Sequence, residues 1–70
     1  MKQVDEMPIS GQFVAVWEYN KKPWSEVYEW DYDGDLYIYN ETADEAYIVE
    51  DLQSIKEHHD VCKAKYFIAD

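Results

Sequence analysis

Aromatic and β-branched side chains are concentrated in three consecutive segments, and this pattern is the strongest constraint on the fold. Such runs, bounded by turn residues, are typical of β-strands. Asn20 and Pro23 mark the first turn, and Asp33 with Gly34 favours the positive φ of a tight hairpin. The sequence therefore predicts a three-stranded antiparallel meander, with strands over about residues 12–19, 24–32 and 35–39.

A helix is predicted after the meander, over about residues 43–59. Thr42 and Glu45 have the spacing of a capping box, in which each side chain accepts a hydrogen bond from a free amide at the helix start. Apolar residues then recur at helical spacing from Ile48 to Ile55.

The C-terminal region alternates again between apolar and polar residues, which predicts a last strand over about residues 61–68. Residues 1–11 are predicted to be a polar lead-in. The fold class is therefore α+β, a two-layer β-β-β-α-β arrangement with one helix packed on the sheet. A right-handed strand-helix-strand crossover would place the last strand parallel to the first and beside it.

Chain length and cysteine content limit how the fold is held together. Seventy residues suffice for a single domain, and 47% of them are hydrophobic, as in a globular protein. Cys62 is the only cysteine, so packing must replace an intrachain disulfide, and a reducing cytoplasm is expected. A signal peptide and a membrane-spanning run are not expected.

The charge is strongly acidic and unevenly placed. The sequence contains 16 acidic residues and 6 lysines, with no arginine, for a net charge of −10. Ten of the acids fall between Pro23 and Ile55, where no lysine occurs. A nucleic-acid-binding protein shows the opposite, a basic stripe. We therefore expect no direct binding to nucleic acid and no binding to a membrane surface; a protein partner should be basic or apolar where it touches the chain.

Apolar side chains occur on both sides of the predicted strands, although one helix can cover only one side. We assign an aliphatic set to the side under the helix: Val14, Val16, Leu36 and Ile38. The aromatic set assigned to the other side comprises Trp17, Trp24, Tyr28, Trp30, Tyr37 and Tyr39. The two sides could be exchanged, but a surplus of apolar groups would remain. Such a surplus marks a binding surface, and the competing interpretation is that the rings tile a small sheet under the N-terminal arm.

The acidic turn after the second strand could be mistaken for a calcium loop. An EF-hand beginning at Asp31 requires glycine where Leu36 stands and an acid where Thr42 stands. The turn preferences of Asp and Gly account for the run.

His58, His59 and Cys62 raise the question of zinc or of a nucleophilic cysteine. A structural zinc site takes four ligands, and a second Cys/His pair does not occur in the sequence. A catalytic Cys-His pair would also need a third, orienting group. Two glycines cannot form a glycine-rich phosphate loop. We predict no catalytic, metal-binding or cofactor-binding residues and no enzyme activity.

The general character of the chain resembles the small acidic accessory proteins of bacteriophages and mobile elements. Within it, residues 37–46 are similar to the helix entry of a small phage inhibitor of host RNA polymerase. The similarity restates the capping box and transfers no functional residue.

The leading hypothesis is an inhibitor that occupies a basic, normally nucleic-acid-binding surface of a host nucleic-acid-processing or defence protein, with carboxylates in place of phosphates. The alternative is a homodimeric interaction module that uses an aromatic sheet face, with acidity serving solubility. A small enzyme subunit or ligand-binding domain is the third hypothesis. The predicted partner-binding residues are Trp24, Glu26, Tyr28, Glu29, Trp30, Asp31, Asp33, Asp35, Tyr37 and Tyr39.

Overall fold

A computed structural model describes residues 1–40 and 42–70 and confirms the α+β class. In this part of the chain, six strands form one open sheet with the order β1-β6-β2-β3-β4-β5, and every neighbouring pair is antiparallel. The elements are β1 (Lys2–Val4), β2 (Gln12–Tyr19), β3 (Lys22–Trp30), β4 (Leu36–Asn40), β5 (Glu45–Ile48), α1 (Leu52–Val61) and β6 (Lys65–Ile68).

The meander is confirmed as strands β2, β3 and β4. Asn20 and Lys21, both at positive φ, form the two-residue turn between β2 and β3, so Pro23 lies inside β3. Pro23 is tolerated there because β4 pairs only with the later part of β3. Gly34, with φ 91°, lies in the next turn, where its amide donates to the Asp31 carbonyl oxygen at 3.0 Å.

The predicted start of the helix is wrong. Residues 45–48 form β5, which pairs with β4 and completes a hairpin across the segment that resembled a helix entry. Asp44 has φ 51°, which no helical residue adopts, and its carboxylate accepts a hydrogen bond from the Tyr39 hydroxyl at 2.7 Å. The helix instead begins at Leu52 under an Asp51 cap, whose side chain accepts from the Ser54 amide at 3.1 Å and hydroxyl at 2.7 Å.

The extra strand also reverses the direction of the C-terminal strand. β6 lies beside β2, as predicted for the last strand, but antiparallel to it. Because β5 turns the chain round once more, the helical crossover leaves from β5 rather than from β4, and β6 runs parallel in direction to β5. The predicted lead-in is also wrong in part, because Lys2–Val4 forms β1 against β6.

The core lies between the sheet and α1. Phe13 and Tyr28 stack at 5.2 Å between ring centroids, and Leu52 and Ile55 of the helix pack against this cluster. The buried hydrophobic residues are Phe13, Ala15, Tyr28, Leu36 and Tyr66. The predicted assignment of sides is therefore corrected: most of the aromatic set lies under the helix, whereas Val14 and Val16 lie on the other face.

Candidate protein-binding surface

The sheet face opposite α1 is uncovered by any helix or strand of the described residues, and we call it the open face. Because side chains alternate along each strand, the register places one residue of every strand in a single row on this face. The row reads Gln3, Phe67, Val14, Val27, Tyr39 and Ala46. Its four central members are only partly buried, and from Phe67 to Ala46 the row is an apolar stripe across five of the six strands.

A second, shorter row lies beside the first. It joins Gln12, Glu29, Tyr37 and Ile48 across β2 to β5. Between the two rows is an open depression of about 370 Å³, lined by Gln12, Glu29, Tyr37, Tyr39 and Ala46. These two rows of the open face thus combine apolar and aromatic contact area with one carboxylate, a composition suited to protein recognition.

Acidic side chains converge at the end of the sheet where this second row lies. The amide of Asp31 donates to the carbonyl oxygen of Asp35 at 2.8 Å and closes the β3–β4 turn. The amide of Val49 donates to the carbonyl oxygen of Leu36, also at 2.8 Å, and brings the start of the helix beside that turn. We call this region the acidic end, and its members are Glu29, Asp31, Asp33, Asp35, Glu50 and Asp51.

The acidic end contrasts with the opposite end of the sheet. Lys21 and Lys22 lie at the β2–β3 turn, and Lys63 and Lys65 lie where the chain enters β6 beside Val16. That end also holds acids, so its charges partly compensate. Within the acidic end, the two hydrogen bonds from Ser54 lower the pKa of Asp51 and so favour its ionised form.

The predicted partner-binding residues fall into three places. Glu29, Tyr37 and Tyr39 lie on the open face, and the three aspartates of the β3–β4 turn belong to the acidic end. The remaining four lie on the helix side of the sheet: Trp24, Glu26, Tyr28 and Trp30.

The side chains on the helix side differ in how accessible they are. Tyr28 is only 1% exposed, so its side chain belongs to the core and cannot contact a partner. Trp30 donates its ring N–H to the Pro8 carbonyl oxygen at 2.7 Å and is partly buried. Trp24 remains 49% exposed, and Glu26 is desolvated enough to raise its pKa.

Val14, Val16, Val27 and Phe67 belong to the open face but were not among the predicted partner-binding residues. Their alternation identified them as one side of the sheet, but only the crossover of the helix decides which side is covered. Phe13 and Tyr28 are directly opposite each other on β2 and β3. Two large rings in this arrangement favour the core, so this pair could have indicated which side of the sheet is covered.

A polar cluster lies inside the core, away from the open face. His59 is 1% exposed and sits between two hydroxyls, with Nε2 at 3.3 Å from Tyr28 and Nδ1 at 3.2 Å from Tyr66. Burial, followed by the nearby His58, lowers the pKa of His59, and burial raises those of both tyrosines. A neutral imidazole donates one hydrogen bond and accepts another, so it pairs with both hydroxyls. The cluster thus contributes to the structure of the core.

The residues weighed for metal binding do not assemble in the described ranges. His58 Nε2 and Cys62 Sγ are 4.0 Å apart, but among residues 1–40 and 42–70 no three His, Cys, Asp or Glu side chains are grouped to hold an ion. The helix within the same residues is too short to span a bilayer.

No protein family, curated protein or solved structure was found to match the chain.

Proposed function

We propose that this protein is a non-enzymatic cytoplasmic inhibitor that docks on a basic surface of a host nucleic-acid-processing or defence protein. Its carboxylates would take the place of nucleic-acid phosphates. The observation that carries the proposal is the continuity of the acidic end with the open face: Glu29 belongs to both, and Tyr37 is its direct cross-strand partner.

Charge and contact area have separate roles in this proposal. The acidic end supplies a directional field, which accelerates association with a basic partner and weakens with salt. The open face supplies apolar and aromatic area, on which affinity and shape recognition depend. The position of these acids beside the uncovered apolar face supports the proposal, because a basic partner could contact both at once.

The proposal is tested by affinity capture from a bacterial lysate at about 50 and 200 mM salt, where electrostatic contacts differ in strength severalfold or more. We expect a basic nucleic-acid-binding protein to be retained at low salt and released at high salt. The captured protein, once purified, should lose its bound DNA duplex when this protein is added. Capture that is insensitive to salt, or a captured protein that holds DNA and this protein together, would contradict the proposal.

The homodimer is a second candidate, favoured by the apolar stripe that crosses five of the six strands of the described sheet. Two such faces packed together would exclude water from Phe67, Val14 and Val27. Sedimentation distinguishes the two candidates, because a stable dimer interface is occupied at tens of micromolar protein. A monomer under these conditions would contradict the homodimer and leave the docking proposal intact.

A further inference from the structure

The two edges of the sheet are protected to different extents. An edge strand carries backbone N–H and C=O groups that can pair with another chain, and proteins guard such edges with lysine, proline or very short strands. β1 has three residues and carries Lys2, and the Met1 amine beside it is 3.3 Å from the Asp70 carboxylate. β5 has an uncharged, exposed run from Ala46 to Ile48, with Tyr47 and Ile48 51% and 47% exposed.

The pattern of hydrogen bonds shows which backbone groups of β5 face outward. In an antiparallel ladder, residues that exchange hydrogen bonds alternate with residues that do not. The amide of Val49 donates a hydrogen bond to the carbonyl oxygen of Leu36 in β4. Tyr47, two residues earlier, therefore also directs its backbone N–H and C=O groups toward β4. The N–H and C=O groups of Ala46 and Ile48 therefore point away from β4, where no other strand lies among the described residues.

Side chains beside this edge define what an added strand would meet. Residues opposite Ala46 and Ile48 would extend the two rows of the open face. A residue opposite Glu45 would lie on the other face, where Asn40 of β4 is the cross-strand partner of Glu45 and Glu26 lies on β3. A depression of about 500 Å³ lies on this part of the sheet, lined in part by Glu26, Asn40 and Tyr47.

We propose that β5 is the docking edge of this protein and that it accepts an extended segment with apolar residues opposite Ala46 and Ile48 and a lysine or arginine opposite Glu45. Charge complementarity selects this occupant, because the carboxylates of Glu26 and Glu45 lie on one face and Glu50 and Asp51 follow the strand. The inference rests on the proposed function, since it states how the basic partner is held.

The test uses a blocked peptide, Gly-Lys-Val-Thr-Val-Lys-Gly, titrated to several millimolar into the isotopically labelled full chain. We expect the amide resonances of Ala46 and Ile48 to shift. Their hydrogen exchange should slow about tenfold when nine-tenths of the protein is bound. A peptide with glutamates in place of its lysines, and one N-methylated at both valines, should have no such effect. Absence of the shifts, or equal shifts with either control peptide, would overturn the proposal.

Variants at one position separate the backbone contact from the side chain. Ala46→Pro removes an outward N–H and leaves the hydrogen bonds to β4 in place, so the variant should fold but lose most of its affinity for the peptide. Ala46→Val keeps the N–H and should bind as the unmodified chain does. If Ala46→Pro does not fold, the N-methylated peptide still decides the question.

Two further outcomes are distinguishable. If the Ala46 and Ile48 resonances shift on raising the protein concentration without peptide, the occupant is a second copy, and the proposal is wrong about the partner. If the peptide fails while salt-dependent capture of a basic protein persists, the edge inference falls and the proposed function stands. If the peptide binds but no basic protein is captured in a salt-dependent way, the proposed function is wrong and the edge inference stands.

Discussion

His59 shows how a single buried residue couples this fold to pH. A histidine side chain has a pKa of about 6.5 in an unfolded chain. In the folded protein, burial and, to a smaller extent, the nearby His58 lower the pKa of His59. The unfolded state therefore binds more protons than the folded state at mildly acidic pH. The stability contributed by neutral His59 is complete above the unfolded value and is lost as the pH falls toward the lowered, folded value.

We expect the free energy of unfolding to fall between pH 7.5 and pH 5 relative to that of a His59→Gln variant, whose amide cannot titrate. Comparison with the variant is needed because partial neutralisation of the acidic surface acts on both proteins alike. Denaturant unfolding at several pH values measures the difference. A matched His58→Gln variant, altered at an exposed ring, should retain most of the pH dependence, because burial is the larger cause of the lowered pKa of His59; a profile parallel to that of His59→Gln would contradict this account.

At the scale of elements, the hairpin β4–β5 and the helix cap decide the topology. Asp51 holds the helix start through its two hydrogen bonds from Ser54, whereas Thr42 is an exposed turn residue. A capping box at Thr42 and a cap at Asp51 make opposite predictions about which of the two residues contributes to stability.

Replacing Asp51 by alanine should therefore lower the unfolding free energy measurably, because the helix loses its cap. Thr42→Ala should cost far less. Chemical denaturation of the two variants measures both values. A larger loss for Thr42→Ala would mean that the helix starts where the capping box predicts it.

The sequence predicts the elements that depend on local signals and misses those that depend on the path of the chain. Alternation and turn residues identify β2, β3 and β4 because each signal lies within a few residues of its effect. β5 is missed because Ile48 happens to continue the helical spacing of Leu52 and Ile55. The four residues of β5 reverse the direction of β6 from the predicted one, and no local sequence pattern indicates this reversal.

The candidate surface divides in the same way. The acids of the β3–β4 turn and the aromatic residues of β4 are visible as sequence runs. The sequence does not show that Glu50 and Asp51 lie beside these residues, because that placement depends on the hydrogen bond between Val49 and Leu36. The face carrying Val14 and Val27 is likewise decided by the side on which α1 crosses the sheet.

For the whole molecule, the relevant property is the position of the charge, since a net charge of −10 by itself serves solubility as well as binding. Four of the six lysines, Lys21, Lys22, Lys63 and Lys65, lie toward one end of the sheet, and the carboxylates of the acidic end lie toward the other, beside the open face. Variants that change the same amount of charge at different places separate these two roles.

The central claim is tested most directly by the affinity of two charge-reversed variants for the captured basic protein at one salt concentration. Glu29→Lys, Asp33→Lys and Asp35→Lys together alter exposed members of the acidic end, and Asp5→Lys, Glu6→Lys and Glu57→Lys alter three exposed acids elsewhere. The two triple variants have the same formal net charge. We predict that the first binds at least about tenfold more weakly than the second. Equal affinity of the two would show that only total charge matters and would contradict the account.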